Sequence, residues 1–126
     1  MIARWIAAVV GVFYLGTGLW SFVAPTTFYS NVANFAPYNL HLLHDVGAFQ
    51  VGLGVALIAG ALVARALLAA LIGALAGSVF HLLAHVIDLR LGGHPATDLP
   101  ALSVLALALA VGLYLEIARR GRNTTQ

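Results

Sequence analysis

The sequence predicts an all-α fold, a bundle of four transmembrane helices with both termini in the cytoplasm. Hydrophobic residues make up 62% of the 126 residues and charged residues only 8%. Roughly a quarter of the residues in a soluble domain are charged, so this chain cannot cover its surface in water. It contains four apolar runs of about 20 residues, the length that spans a hydrocarbon core. We therefore expect residues 1–126 to form a single integral membrane domain.

The first predicted helix covers residues about 2–23. A cleaved signal peptide is the competing interpretation, but the apolar run is long for one and contains Tyr14 and Trp20. Pro25 ends this helix. Residues 24–38 mix aromatic residues with turn-formers, which is typical of an interfacial loop or a short surface helix.

Three further apolar runs follow, and each is bounded by residues that start or stop helices. Asn39 is a plausible N-cap for the second helix. Gly92 and Gly93 end the third helix. Within that helix, Gly73 and Gly77 form a GxxxG packing motif. The predicted second, third and fourth helices cover residues about 40–63, 66–91 and 100–118.

The arginines predict the orientation in the membrane. In the predicted topology only Arg90 falls on one side of the membrane. The opposite side carries the other five arginines, Arg4, Arg65, Arg119, Arg120 and Arg122. Because cytoplasmic segments carry an excess of basic residues, the termini and the Arg65 turn are predicted to be cytoplasmic. Residues 24–38 and 92–98 then face outward. We expect a bacterial cytoplasmic (inner) membrane.

Two polar stretches interrupt the apolar sequence. The first contains His41, His44 and Asp45, and the second contains His81, His85 and Asp88. Spacings of three and four residues place side chains on one face of a helix. The second and third helices are joined by a tight turn, so the two stretches are expected to lie at one membrane level, with His81 deeper. They are predicted to face each other as one site.

Several chemistries fit such a site. Ionisable side chains in hydrocarbon cost at least a few kcal/mol and need partners. Neutral imidazoles and carboxylates are good ligands for a transition metal ion such as zinc, copper, iron or manganese. A metal-free His–Asp network that relays protons is an alternative. A third alternative is a haem bound by His44 and His85. A fourth is that these residues form no common site and lie independently at the membrane interface.

Other classes of function find no support in the composition. The absence of cysteine excludes disulfides, thiolate metal sites and cysteine nucleophiles. The arginines sit at predicted helix ends rather than in a basic patch, so no nucleic-acid partner is expected. No serine has the sequence context of a nucleophile elbow.

Three segments resemble DoxX-like small bacterial membrane proteins of the actinobacterial type. They are Pro25-x-x-Phe28-Tyr29, His44-Asp45-Val-Gly47-Ala-Phe-Gln50 and His85-Val-Ile-Asp88. The resemblance implies a membrane protein of four short helices. It also implies an association with quinol oxidation or with a membrane redox complex, and it assigns no catalytic residue.

Together these observations predict an outward-facing transition-metal site with a redox-related or metal-handling role. The predicted ligands are His41, His44, Asp45, His81, His85 and Asp88. The alternative is an accessory or scaffold subunit whose His–Asp network is structural or relays protons. Its expected partners are the lipid bilayer and, through Gly73 and Gly77, a second copy or a larger membrane complex.

Overall fold

The protein is all-helical in the computed structural model, which describes residues 1–123. The helices are α1 (Ile2–Val23), α2 (Pro25–Asn31), α3 (Leu40–Leu62), α4 (Leu67–Ile87) and α5 (Pro95–Asn123). All of them except the short α2 are long and apolar enough to cross a membrane. The all-α class is therefore confirmed, as are four helices long and apolar enough to span a membrane, which is the pattern of a multi-pass membrane protein.

The four long helices form a ring in which each packs against two neighbours. Helix α1 lies between α3 and α5, and α4 lies between the same two helices on the opposite side. Apolar side chains from all four meet along the ring axis, among them Ala7, Leu57, Leu71 and Leu109, each fully or almost fully buried. Helices α3 and α4 are neighbours in the ring, as the tight turn between them predicts.

Helices α1 and α3 approach each other closely through four glycines. A Cβ atom built on Gly18 would lie 2.8 Å from the carbonyl oxygen of Gly47, and one on Gly54 would lie 2.7 Å from that of Gly11. No side chain fits at such separations, so the two backbones pack directly on each other. This contact fixes the rotation of α3, because Gly47 and Gly54 must face α1.

The GxxxG motif of α4 has a different environment. A Cβ atom on Gly73 would meet nothing within 4 Å, and one on Gly77 would meet only the Leu53 side chain, at 3.7 Å. The motif therefore brings no second helix into close backbone contact within the chain. A second copy or a larger complex on this face stays a prediction.

Arginine side chains tie together one end of the bundle, here called the arginine end. Arg4 donates hydrogen bonds from Nε to the carbonyl oxygen of Ala61 (2.5 Å) and from a terminal nitrogen to that of Leu62 (3.2 Å). Arg120 donates to the carbonyl oxygen of Ala64. Carbonyl groups at a helix C-terminus have no partner within the helix, so these arginines cap α3 from α1 and α5.

Glu116 is the buried partner of two arginines at this end. Its carboxylate is almost fully buried and accepts hydrogen bonds from both Arg119 and Arg120 at 2.7–2.9 Å. The contacts join the start of α1, the α3–α4 turn and the end of α5. Both chain ends of the described part therefore lie at one end of the bundle.

The opposite end, here called the loop end, carries α2 and the two longer connections. The chain segments around Phe35 and Gly92 pair in a single antiparallel bridge, and Gly93 N donates to the carbonyl oxygen of Asn34 (2.6 Å). Gly92 has φ +140°, where a side chain would be strained. We call residues 34–35 and 92–93 the clasp.

The helices flanking the clasp differ from the sequence-based bounds. Helix α4 ends at Ile87 instead of Leu91, and α5 begins at Pro95 instead of Pro100. The Asp98 carboxylate accepts a hydrogen bond from His94 N (2.7 Å), and Pro95 occupies the first helical turn. This cap starts the helix five residues early, so Pro100 lies inside α5.

Candidate functional site

A cavity of about 560 Å³ lies inside the ring at the loop end. All four long helices and α2 contribute to its wall, which is mostly apolar. Its polar groups come from α1, α3, α4 and α5 and from the connection after α4. The lining side chains that can hydrogen-bond are Tyr14, Thr17, Gln50, His81, His85, Asp88 and Asp98.

The histidines of α4 lie beside the start of α5 in this wall. The rings of His81 and His85 are 5.0 Å apart, on successive turns of α4. His85 Nδ1 lies 3.9 Å from Asp98 Oδ2, too far for a hydrogen bond but close enough for an ion pair. Both side chains are partly exposed, 34% for His85 and 17% for Asp98. They form a polar patch that faces the cavity.

Hydroxyl groups of α1 make up the polar part of the opposite wall. Tyr14 is buried, and its hydroxyl lies 2.7 Å from Ser78 Oγ on α4. Thr17 Oγ1 lies 2.6 Å from Gln50 Oε1 on α3. Each pair links two helices at the level of the cavity, so these groups are held in place before any ligand binds.

Residues of the clasp and of α2 line the cavity on the side of the loop end. Phe35, Gly92 and Gly93 are part of the wall, as is Phe28 from α2. Phe28 is buried and packs edge-to-face on Trp20 of α1, with ring centroids 5.5 Å apart. This side of the cavity wall therefore consists of packed aromatic rings and paired backbone rather than of a free loop.

The polar stretch of α3 does not face the cavity. His41 pairs with Asp45 on its own helix at 3.5 Å, and both are exposed (88% and 52%). His44 stacks at a tilt on Phe22 of α1, with ring centroids 5.0 Å apart. The close packing of Gly47 on α1 sets this rotation and turns a different stripe, Leu42, Val46 and Gln50, toward the cavity.

The predicted metal-binding function is therefore wrong. Among residues 1–123 no group of three or more His, Asp or Glu side chains could hold a metal ion. The prediction assumed that the polar faces of the second and third helices point at each other. The structure brings His81, His85 and Asp88 to the cavity and leaves His41, His44 and Asp45 outside it. The haem alternative stays a prediction.

Sequence reasoning had no basis for including Asp98 in the site. By residue type, Asp98 or Thr97 was expected to cap a helix that starts at Pro100. In the structure Asp98 lies in the first turn of α5, where its carboxylate accepts from His94 N and lies 3.9 Å from His85 on the neighbouring α4. Tyr14 and Thr17 were easier to find. They share a helical stripe with Gly18 and Ser21 that is expected to face the bundle, and the structure places Tyr14, Gly18 and Ser21 in its interior.

The arrangement is chemically suited to holding an amphipathic molecule. Imidazole nitrogens, a carboxylate and hydroxyl groups can hydrogen-bond to a polar head, and the apolar wall can surround the rest. No family model, no curated relative and no solved structure matches the chain.

Proposed function

We propose that the protein binds an amphipathic small molecule in the cavity at the loop end. The observation that carries this proposal is a mostly apolar cavity of about 560 Å³ with a few converging polar groups. Ligand sites typically enclose 300–1,000 Å³ and combine an apolar wall with a small number of placed polar groups. The volume is in that range.

The distribution of polar groups assigns the two parts of the ligand. Its polar head lies between the α4–α5 patch, His85 and Asp98, and the hydroxyl groups of α1. Its apolar body contacts side chains such as Phe13 and Leu105. Burying apolar surface contributes roughly 25 cal/mol per Å², so the body supplies affinity and the head supplies orientation.

A second groove supports access from the bilayer. It has a volume of about 440 Å³, lies between α1 and α5, and is lined only by Phe13, Pro100, Ala101, Val104 and Leu105. Three of these residues, Phe13, Ala101 and Leu105, also line the cavity. These three residues separate the groove from the cavity. A lipid-soluble molecule would pass between them to enter the cavity from the bilayer.

The resemblance to DoxX-like proteins adds one candidate ligand class. That family is associated with quinol oxidation or membrane redox complexes, so membership would make a neutral quinol the ligand. A quinol has an aromatic head with two hydroxyl groups and an apolar tail, and this combination suits the cavity.

We also propose that the arginine end lies in the cytoplasm of a bacterial cell and that the cavity lies in the outer half of the membrane. Arg4, Arg65 and Arg120 lie at or beside this end, and an excess of basic residues marks cytoplasmic segments.

A green fluorescent protein fused to the C-terminus should fluoresce in a bacterial host. A dark fusion, together with an active alkaline phosphatase fusion at the same site, would place this end outside.

Photolabelling tests ligand binding. The protein is reconstituted in lipid nanodiscs with a neutral long-chain alcohol that carries a diazirine, and the labelled residues are mapped by mass spectrometry. We expect saturable labelling of Phe28 or Leu102, which line the cavity and not the groove. Labelling confined to lipid-facing residues, without saturation, would contradict the proposal.

Three tryptophan variants sharpen this test. Ala101→Trp and Ala84→Trp fill the cavity from α5 and α4, and both positions are exposed enough to accept the larger side chain. Each should abolish saturable labelling of the cavity. Ala48→Trp is the matched control, because Ala48 is exposed on α3 and does not line the cavity. Its labelling should be that of the unmodified chain.

A further inference from the structure

We propose that the ligand of this cavity is a hydrophobic cation, an inference that rests on the function proposed above. The charges in the wall are the first argument. The cavity is lined by two carboxylates, Asp88 and Asp98, and by none of the arginines of the described residues. Protonation of both His81 and His85 would only balance the two carboxylates. With both carboxylates ionised, the wall is thus anionic or neutral, whatever the charge of the two histidines.

The environment of Asp98 is the second argument. Its side chain is only 17% exposed. Oδ2 accepts from His94 N at 2.7 Å, and Oδ1 lies 3.3 Å from the Thr97 hydroxyl. These two partners belong to its own helix terminus and carry no full charge, and His85 Nδ1 lies 3.9 Å from Oδ2, beyond hydrogen-bond distance. A carboxylate in an apolar surrounding gains most from a nearby positive charge, and the cavity is the open space beside it.

Aromatic rings provide the third argument. Phe13, Tyr14, Phe28 and Phe35 all line the cavity, from α1, α2 and the clasp. The faces of aromatic rings attract cations, and the attraction is strongest where water is excluded. A cation with an apolar periphery would contact these rings while its charge is balanced by Asp98.

These features discriminate between ligand classes. An anionic amphipath would bring its charge against two carboxylates without a basic side chain to offset them. A neutral amphipath, quinols included, would hydrogen-bond to the polar patch and bring no positive charge to the carboxylates. A hydrophobic cation satisfies the charge and the apolar wall together.

Two probe ions of nearly the same shape and opposite charge test the inference. Tetraphenylphosphonium and tetraphenylborate are each added to the photolabelling experiment as competitors of the neutral alcohol, in nanodiscs of neutral lipid. The phosphonium should displace the label at a free concentration at least about tenfold lower than the borate, which corresponds to a tenfold difference in dissociation constant. Equal displacement, stronger displacement by the borate, or no displacement by the phosphonium would overturn the inference.

Amide substitutions assign the charge preference to its residues. Asp98→Asn keeps an oxygen that can accept the hydrogen bond from His94 N, so the start of α5 is retained. It should weaken displacement by the phosphonium about tenfold or more, measured against the labelling that the same variant shows without a competitor. Asp88→Asn should weaken it in the same direction. Asp45→Asn is the control, because Asp45 is exposed on α3 outside the cavity.

The outcomes separate the two proposals. If the alcohol does not label the cavity saturably, the proposed function fails and the cation inference fails with it. If the alcohol labels the cavity but Asp98→Asn leaves displacement by the phosphonium unchanged, the cavity binds amphipaths and the charge argument is wrong.

Discussion

Tyr14 and Ser78 form a buried side-chain contact between α1 and α4. The Ser78 hydroxyl donates to the carbonyl oxygen of Ala74 at 2.7 Å, so the Tyr14 hydroxyl is the donor in the 2.7 Å contact between the two side chains. Both residues are at most 3% exposed. A buried donor that loses its acceptor costs more than the contact itself contributes.

Replacing Ser78 by alanine should therefore destabilise the protein. Ser78→Ala leaves the buried Tyr14 hydroxyl without its acceptor, and we expect the free energy of unfolding to fall by about 1 kcal/mol. Reversible unfolding in mixed detergent micelles measures this difference. Ser103→Ala, at an exposed position of α5, should change it little. Equal effects of the two substitutions would show that the Tyr14–Ser78 contact contributes nothing measurable.

The polar residues also show where sequence reasoning succeeds and where it stops. The helical spacing of His81, His85 and Asp88 predicts one face, and all three, from α4 and the residue after it, line the cavity. The same spacing argument for His41 and Asp45 correctly pairs them on one face. Spacing does not say which way that face points, because the rotation of a helix depends on its neighbours.

At the scale of elements, the contact between α1 and α3 organises the bundle. Gly11 and Gly18 of α1 meet Gly54 and Gly47 of α3, and the seven-residue spacing is the same on both helices. In lipid, helices associate through close packing of this kind rather than through the hydrophobic effect. The rotation that the glycines impose on α3 turns its histidines away from the site.

Alanine substitutions of two glycines in α3 test this role. A Cβ atom on Gly54 would lie 2.5 Å from Leu15 N, so Gly54→Ala must force the helices apart. We expect a loss of about 1–3 kcal/mol in the free energy of unfolding. Gly52→Ala, on the same helix, has nothing within 4 Å and should leave stability unchanged or raise it by up to about 1 kcal/mol. A harmless Gly54→Ala would contradict the glycine contact, and the detergent titration used for Ser78 measures both variants.

The elements themselves were largely predictable because lipid demands long apolar helices. Length and hydropathy locate four spans in the sequence, and Asn39 caps α3 as its residue type predicts, accepting a hydrogen bond from Leu42 N. The start of α5 was not predictable in the same way. It depends on Asp98 reaching back to His94, and Pro100 favoured a later start. The Gly73–Gly77 motif is as strong a sequence signal as Gly47 and Gly54, yet within residues 1–123 it brings no helix into close backbone contact.

The whole molecule has two ends of different character. At the arginine end, Arg4, Arg120 and Glu116 join the termini of three helices through hydrogen bonds. At the loop end, α2 and the clasp bridge the ring and leave a cavity beneath them. The position of a functional site near the loop end stays a prediction, and the predicted metal-binding function was wrong. Cavity volume is a property of how four helices pack, so no local sequence pattern reports it.

Cysteine protection tests the central claim, that a small amphipathic molecule occupies this cavity. The chain contains no cysteine, so an introduced thiol reports a single position. Ala84→Cys places it in the cavity wall beside His85, and Ala48→Cys places it on the outer surface of α3. The rate of modification by a small neutral thiol reagent is measured with and without the long-chain alcohol. We predict that the alcohol slows modification of the Ala84→Cys variant in a saturable manner and leaves that of Ala48→Cys unchanged. If the Ala84→Cys variant is modified at the same rate with and without the alcohol, the account is contradicted.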